Sequence, residues 1–227
     1  MKKIFTAVIC AALILSGCGT MNDATKGGLI GGGSGAALGA GVGALITKDG
    51  KGTAIGAAIG SVVGSGVGVL IGHKMDKKAE ELAALENAKV DTVLDANNLK
   101  ALKVTFDSGI LFNTSSFALS DASKRDLTQF AEKMADMVDT DMTILGHTDN
   151  TGTPEYNHQL SIDRAKAVAT FLKNKGMKNH MTVEGRSFYE PVADNSTREG
   201  RLQNRRVEIY ITANENMIEA AENGTLK

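Results

Sequence analysis

The sequence has few cysteines and no excess of basic charge. Only two cysteines occur among its 227 residues, Cys10 and Cys18. Cys10 lies in an N-terminal apolar run that is typical of a cleaved signal, so the mature protein keeps no second thiol with which to form a disulfide. The formal net charge is −1, and this near-balance argues against a nucleic-acid-binding protein, which normally presents a basic face.

Residue combinations that carry catalysis are also missing. The four histidines, at positions 73, 147, 158 and 180, are scattered and show no spacing typical of zinc ligands. No nucleophile has a base partner, and no pair of acidic residues is placed for glycoside cleavage. Glu184 is a lone acid at a predicted strand end, where such a residue is more often structural. The sequence therefore predicts a protein that is not an enzyme and that needs no metal or cofactor.

The N-terminus has the pattern of a lipoprotein signal. Two lysines precede an apolar stretch at residues 4–15, as in a secretory signal. The following segment Leu15-Ser16-Gly17-Cys18 resembles the lipobox of bacterial lipoproteins, in which the cysteine is lipidated and becomes the new N-terminus. The alternative is an ordinary cleaved signal with an incidental cysteine.

The lipobox resemblance has consequences for location. It implies that residues 1–17 are a signal peptide, that Cys18 carries acyl chains, and that residues 18–26 form a lipidated tether. Gly19 follows the cysteine where an Asp would retain the protein at the inner membrane, so the resemblance implies the outer membrane. The C-terminal domain is then expected in the periplasm.

Residues 27–72 carry glycines at an interval of four. They stand at positions 27, 31, 35, 39 and 43, and again at 52, 56, 60, 64, 68 and 72. This interval keeps them on one stripe of an α-helix, where small residues let two backbones approach closely. Each half is about 20 residues long, roughly the length that spans a bilayer, and the polar residues 47–51 separate the halves. The pattern predicts a glycine-zipper helical hairpin that is inserted in a membrane or self-associated.

Two other interpretations of residues 27–72 compete with the hairpin. A flexible linker would contain Ser and other polar residues, whereas this segment contains Ala, Ile, Leu and Val. A water-soluble helix pair would carry a helix-propensity cost of about 1 kcal/mol for each glycine relative to Ala. Only close packing in a bilayer or an oligomer offsets a cost of that size.

Residues 73–88, which are rich in Lys and Glu, are predicted to form a solvated linker helix.

Residues 89–212 have the pattern of an α+β domain. Apolar runs predict strands at 90–94, 99–106, 142–145, 181–183 and 206–211, with a hairpin between the first two. Helical spacing predicts one helix capped by Ser120 and another from Ser161 to Asn174. The β-α-β-α-β-β order suggests a mixed sheet covered by helices. Residues 213–227 are left as a C-terminal tail without an assigned function.

The polar segment 146–152 and the start of the second helix suggest a binding site. We expect Ser161 to cap that helix, which would put Arg164 in its first turn beside free backbone N–H groups and the positive end of the helix dipole. Such an end binds a carboxylate, and Asp149 in a loop above it would supply the opposite charge. An Asp and an Arg a few ångströms apart suit a zwitterion. The alternative is a structural Asp149–Arg164 salt bridge that only fixes the loop.

A resemblance favours the binding site. Gly146-His147-Thr148-Asp149, with Gly152, Asn157, Leu160-Ser161 and Arg164-Ala165, is similar to the signature of the OmpA-like peptidoglycan-binding domain, as is Asn204-Arg205-Arg206-Val207-Glu208. With the lipobox and the glycine-rich segment, the whole chain resembles the OmpA-family outer-membrane lipoproteins.

The resemblance assigns roles to single residues. It implies that Asp149 and Arg164 bind the free amino-carboxylate end of diaminopimelate in the peptide stem of peptidoglycan. It also implies that Thr148, Asn157 and Arg205 line the site and that Asn113 lies at its rim, although the family more often has Asp there. The expected function is a non-covalent tether between the outer membrane and the cell wall. The alternative is a glycine-zipper oligomer that forms a membrane scaffold or channel and uses the domain as a wall anchor.

Overall fold

The structure is a computed structural model, and it describes residues 66–107, 112 and 116–226. The predicted signal peptide, the lipidation site at Cys18, the tether, nearly all of the glycine-rich segment, and Asn113 lie outside the described residues.

The described residues form five strands and five helices. The strands are β1 (Ala88–Leu94), β2 (Lys100–Asp107), β3 (Thr140–His147), β4 (His180–Ser187) and β5 (Arg206–Ala213). The helices are α1 (Val67–Ala83), α2 (Asp121–Lys133), α3 (Pro154–Asn174), α4 (Arg198–Asn204) and α5 (Glu215–Glu222). The strands form one sheet in the order β1-β2-β5-β3-β4, in which only the β3–β4 pair is parallel. The α+β class and the mixed sheet are as predicted.

The β1–β2 hairpin is confirmed, and a carboxylate explains its turn. Asp95 is buried, and its Oδ1 accepts hydrogen bonds from the backbone N–H groups of Asn97 and Leu99. Asn98 adopts a left-handed conformation with φ 57°, which Asn tolerates better than most residues. The turn reverses the chain so that Ala88 pairs with Phe106 at the other end of the hairpin.

Helix α3 begins earlier than the sequence predicted. Its N-cap is Thr153, whose hydroxyl accepts a hydrogen bond from the Tyr156 N–H, and Pro154 occupies the first turn. Thr153-Pro154 is a stronger signal for a helix start than Ser161. Thr is a good N-cap, and Pro lacks the backbone N–H that would be left unpaired in the first turn. Ser161 is therefore not the cap. Its hydroxyl donates to the His158 carbonyl inside the helix, and Arg164 lies at the middle of α3 rather than in its first turn.

Two glycines let α3 lie directly on the sheet. A Cβ at Gly146 would stand 2.0 Å from the backbone oxygen of Ser161, and one at Gly185 would stand 2.4 Å from the Ser161 hydroxyl. Strand β3 includes Gly146 and His147, so the predicted loop begins only at Thr148. The sequence predicted a loop at Gly146 and His147 because Gly and His are not typical strand residues. Gly146 is nevertheless needed in β3, since α3 crosses the strand there.

Helix α1 differs from the predicted solvated linker. It starts at Val67, within the glycine-rich segment, and continues through the predicted boundary at residue 72 into the charged stretch. Ile71, Met75 and Leu82 are fully buried in the main core, and Lys78 is also buried. The Lys78 Nζ donates to Asp136 at 2.6 Å and to the Lys133 carbonyl at 2.7 Å. A narrow apolar stripe is enough to bury this helix because the sheet supplies the rest of the core.

The predicted tail also belongs to the domain. Asn214 caps α5, and Met217, Ile218 and Ala221 are buried in the same core as α1. Within the described ranges, no helix combines the length and the apolar character needed to cross a bilayer.

Candidate binding site

A cavity of about 210 Å³ opens where β3 ends and α3 begins. Five of the six residues that the sequence singled out line it: Thr148, Asp149, Asn157, Arg164 and Arg205. Four further residues complete its wall: Thr151, Tyr156, Leu160 and Arg201. The sixth predicted residue, Asn113, is outside the described chain. The structure therefore brings together side chains that are far apart in sequence.

Asp149 pairs with Arg205, whereas the alternative of a structural salt bridge expected a pair with Arg164. Its Oδ2 accepts a hydrogen bond of 2.6 Å from Arg205 Nη1, and its Oδ1 accepts one of 2.8 Å from the Thr151 N–H. Burial raises the pKa of the Asp149 carboxyl, but the hydrogen bonds from Arg205 and Thr151 outweigh burial and hold that pKa below its usual range. The carboxylate is therefore charged at neutral pH.

Arg164 is buried with part of its hydrogen-bonding capacity unused. Only 2% of the residue is exposed, its Nε donates to the Ser116 carbonyl at 3.1 Å, and its guanidinium lies 5.2 Å from the centre of the Phe112 ring. Its Nη1 has no hydrogen-bond partner among the described residues. Burial, reinforced by the charge of Arg205, lowers the pKa of Arg164 to about 10, which leaves it charged at neutral pH.

A buried hydrogen-bond donor without a partner lowers the stability of the folded protein. The unpartnered Nη1 of Arg164 therefore suggests that a ligand supplies the missing acceptor. Leaving a buried polar group unpaired costs on the order of 1–3 kcal/mol, and more when the group is charged. Thr148 lines the same cavity, and its buried hydroxyl likewise has no hydrogen-bond partner in the part of the chain that the structure describes. Two hydrogen-bond donors of this kind on residues that line one cavity suit an anionic ligand.

Asn157 holds the loop that covers the site. It is 2% exposed, and its amide donates to the Thr151 carbonyl at 3.0 Å. Gly152 has a φ of 102°, which lets the chain turn back towards α3. Asn157 therefore positions the Asp149 loop in addition to lining the cavity.

His147 is next to the site but faces a different set of groups. It is 1% exposed, and its Nε2 lies 3.5 Å from Arg206 Nη2 and 3.7 Å from Glu208. Glu208 also accepts hydrogen bonds from Arg206 Nε and from the Tyr210 hydroxyl. Burial and the charge of Arg206 lower the pKa of His147 to about 3, so the ring is neutral. His147 therefore contacts Arg206 and Glu208 and is not among the residues that line the cavity.

We expect acid to destabilise the domain through His147. The unfolded residue takes up a proton below its ordinary pKa of 6.5, whereas the folded one stays neutral down to a pKa of about 3. Stability is therefore lost as pH falls through 6.5, by about 2 kcal/mol between pH 7.5 and pH 5. Chemical denaturation at the two pH values measures this loss. In His147→Gln the loss should be much smaller, and an equal loss in both proteins would contradict the assignment.

A second, larger cavity of about 570 Å³ lies on the outer face of the sheet, where Lys89, Lys103, Arg206 and Glu208 contribute to its wall. Its buried charges are already satisfied, because Arg206 Nε donates to Glu208 at 2.7 Å. The smaller cavity is the better candidate site, since two of its lining residues, Thr148 and Arg164, carry buried polar atoms without a hydrogen-bond partner among the described residues.

Comparisons with known proteins agree with this location. The sequence matches the OmpA family over residues 111–205, which include the whole wall of the smaller cavity, and the YMGG-like Gly-zipper family over residues 1–76. It is 36% identical over 225 residues to the probable lipoprotein YiaD of Escherichia coli, with 93% of this chain and 99% of that protein covered. The chain belongs to the YiaD-like lipoproteins of the OmpA family.

Other similar proteins match a smaller share of the chain. The chain is 38% identical over 112 residues to the peptidoglycan-binding protein ArfA of Mycobacterium tuberculosis, a match that covers 49% of this chain and 34% of that protein. A solved structure, the cell wall anchor of the T6SS from Pseudomonas aeruginosa, is 31% identical with a TM-score of 0.51 and covers 61% of this chain and 96% of that one.

Two parts of the site were not predicted from the sequence. Arg201 lies on α4, a helix of seven residues that is too short to show a periodic pattern. Tyr156 stands in the first turn of α3, which was expected to be a loop. A Thr-Pro pair before residue 156 was the signal that could have placed Tyr156 on the helix.

Proposed function

We propose that this lipoprotein binds peptidoglycan non-covalently and tethers the outer membrane to the cell wall through the diaminopimelate of the stem peptide. One observation carries the proposal: the charged Asp149 lines the same cavity as Arg164, whose buried Nη1 has no partner among the described residues. One end of diaminopimelate carries an ammonium and a carboxylate on the same carbon atom, and this end remains free in the stem.

The charges of the cavity match that end. Arg205 and Thr151 donate hydrogen bonds to the Asp149 carboxylate, which offers about four lone-pair sites, so acceptor capacity remains for the ligand ammonium. The ligand carboxylate would accept from Arg164 Nη1 and from the Thr148 hydroxyl, which would satisfy both buried groups. Charge-assisted bonds of this kind are roughly twice as strong as neutral ones.

The relatives support the same assignment. ArfA is named as a peptidoglycan-binding protein, and the Pseudomonas structure is described as a cell wall anchor. The OmpA family match includes Asp149, Arg164 and Arg205.

The test is capture of the full-length protein, purified in detergent, by isolated sacculi. We expect capture at neutral pH and no release of soluble muropeptides on incubation. Absence of capture would overturn the proposal, and release of muropeptides would favour an enzyme.

We propose that acyl chains on Cys18 hold the protein in the outer membrane with the domain in the periplasm. Cys18→Ser should leave an unprocessed precursor that is absent from the outer-membrane fraction, because the thiol is the acyl acceptor that the lipobox presents. Membrane fractionation with labelling by an alkyne fatty acid measures this. A processed and acylated Cys18→Ser protein in that fraction would contradict the anchor.

We further propose that the glycine-rich residues 27–72 associate with the same segment of another copy. The period-four glycines and the match to the YMGG-like Gly-zipper family support this arrangement. Chemical cross-linking of the full-length protein in membranes tests it, and recovery of monomers alone would contradict it.

A further inference from the structure

The cavity holds more positive charge than one amino-carboxylate group needs. Its charged residues are Asp149, Arg164, Arg201 and Arg205. Arg205 is paired with Asp149 at 2.6 Å. In the described part of the chain, neither Arg164 nor Arg201 forms an ion pair with a carboxylate. Two guanidinium groups are therefore available for a ligand, but the free end of diaminopimelate in the stem brings only one carboxylate.

Arg201 is held in place by backbone groups. Its Nη1 donates to the carbonyls of Asn195 and Ser196, at 2.8 Å and 3.1 Å. Those carbonyls belong to the turn before α4, in which the Thr197 hydroxyl caps the helix by accepting from the Gly200 N–H at 3.0 Å. A Cβ at Gly200 would stand 2.0 Å from the Asp194 carbonyl, so α4 packs closely on this turn. The guanidinium is thus fixed at the wall of the cavity before any ligand binds.

The buried Asn204 fixes the other end of α4. Its Oδ1 accepts from the N–H groups of Val192 and Ala193, and its amide donates to the Ala193 carbonyl. Since the helix is fixed at both ends, Arg201 has little freedom to move away from the cavity. A fixed cation favours a ligand with an anionic group at that position and costs little ordering on binding.

Diaminopimelate has a second carboxylate that could meet Arg201. This carboxylate is free when diaminopimelate is the last residue of a stem, and it becomes an uncharged amide when the stem continues or is amidated. We propose that Arg201 is a specificity-determining residue that favours stems ending in diaminopimelate with this second carboxylate free. The inference rests on the proposed function, since it assumes that Asp149 and Arg164 take the amino-carboxylate end.

Calorimetry with two peptides and the full-length protein in detergent tests the proposal. Both peptides are L-Ala-γ-D-Glu-meso-diaminopimelate with a free amino-carboxylate end, and they differ in whether the second carboxylate is free or amidated. We expect wild type to bind the free form about tenfold more tightly, as expected for one charge-assisted contact at a partly exposed site. Arg201→Gln should bind both forms about equally. Arg198→Gln, a matched loss of charge at an exposed residue on α4, should keep the preference.

Capture by sacculi, run beside the calorimetry, separates this inference from the proposed function. Equal binding of both peptides by wild type, a preference retained in Arg201→Gln, or binding of neither peptide would each overturn the role of Arg201. If sacculi still capture wild type in any of those cases, wall binding stands without it. If sacculi do not capture wild type, the proposed function falls as well.

Discussion

Arg164→Ala and Asp149→Ala are each expected to lose capture by sacculi while the domain stays folded. Removing one group of a charged recognition pair costs about 2–5 kcal/mol of binding free energy, because the ligand charge is left buried and unpaired. A loss of this size converts micromolar binding to millimolar or weaker. Pull-down with sacculi, beside thermal melting of the same proteins, measures both effects.

The structure explains why stability should fall less than binding. Arg164 donates to the Ser116 carbonyl and contacts the Phe112 ring, but within the described part of the chain its buried Nη1 has no hydrogen-bond partner. Its removal therefore relieves part of a desolvation cost. Lys166→Ala is the matched control, because Lys166 is exposed on the same helix and does not line the cavity. Full capture of both site variants would end the assignment of these residues.

Gly146→Ala is expected to destabilise the domain strongly, by about 3 kcal/mol. The new Cβ would stand 2.0 Å from the Ser161 backbone oxygen, so either β3 or α3 must move. A shift of α3 would also displace Asn157 and Arg164, and binding should weaken with stability. Equilibrium unfolding in urea measures the effect.

Gly72→Ala is the control variant, because it adds the same methyl group at a glycine where there is space for it. Its Cβ would meet nothing closer than Lys100 Cε at 3.9 Å, in the interior of α1. Ala is the better helix former by about 1 kcal/mol, so this variant should be as stable as wild type or more so. Equal stability of Gly146→Ala and Gly72→Ala would contradict the close packing of α3 on the sheet.

The elements that could be predicted were those with long apolar runs or strong turns. The hairpin at Asp95, the Ser120 cap and the apolar residues of β3 and β5 each have a local cause, which a sequence displays directly. Helix α1 was misjudged because three apolar residues among many charged ones look like a solvated helix. Whether such a stripe is buried depends on the partner surface, which the local sequence does not contain.

The pairing inside the site depends on topology. Asp149 follows β3 and Arg205 precedes β5, and these two strands are antiparallel neighbours, with Gly146 beside Val207. That arrangement puts Arg205 next to Asp149, although 56 positions separate them in the sequence. The motif identified the right set of residues, but only the strand order shows which arginine bonds to the carboxylate and which is left for a ligand.

The most direct test of the account is competition for sacculi by free meso-diaminopimelate. Full-length protein is bound to isolated sacculi, and increasing concentrations of the amino acid are added, with 6-aminohexanoate as a control whose ammonium and carboxylate are on different carbon atoms. If the Asp149–Arg164 cavity binds the stem, diaminopimelate should release the protein and 6-aminohexanoate should do so far less. Protein that stays bound to the sacculi at saturating diaminopimelate would contradict the claim that this cavity binds the stem peptide of peptidoglycan.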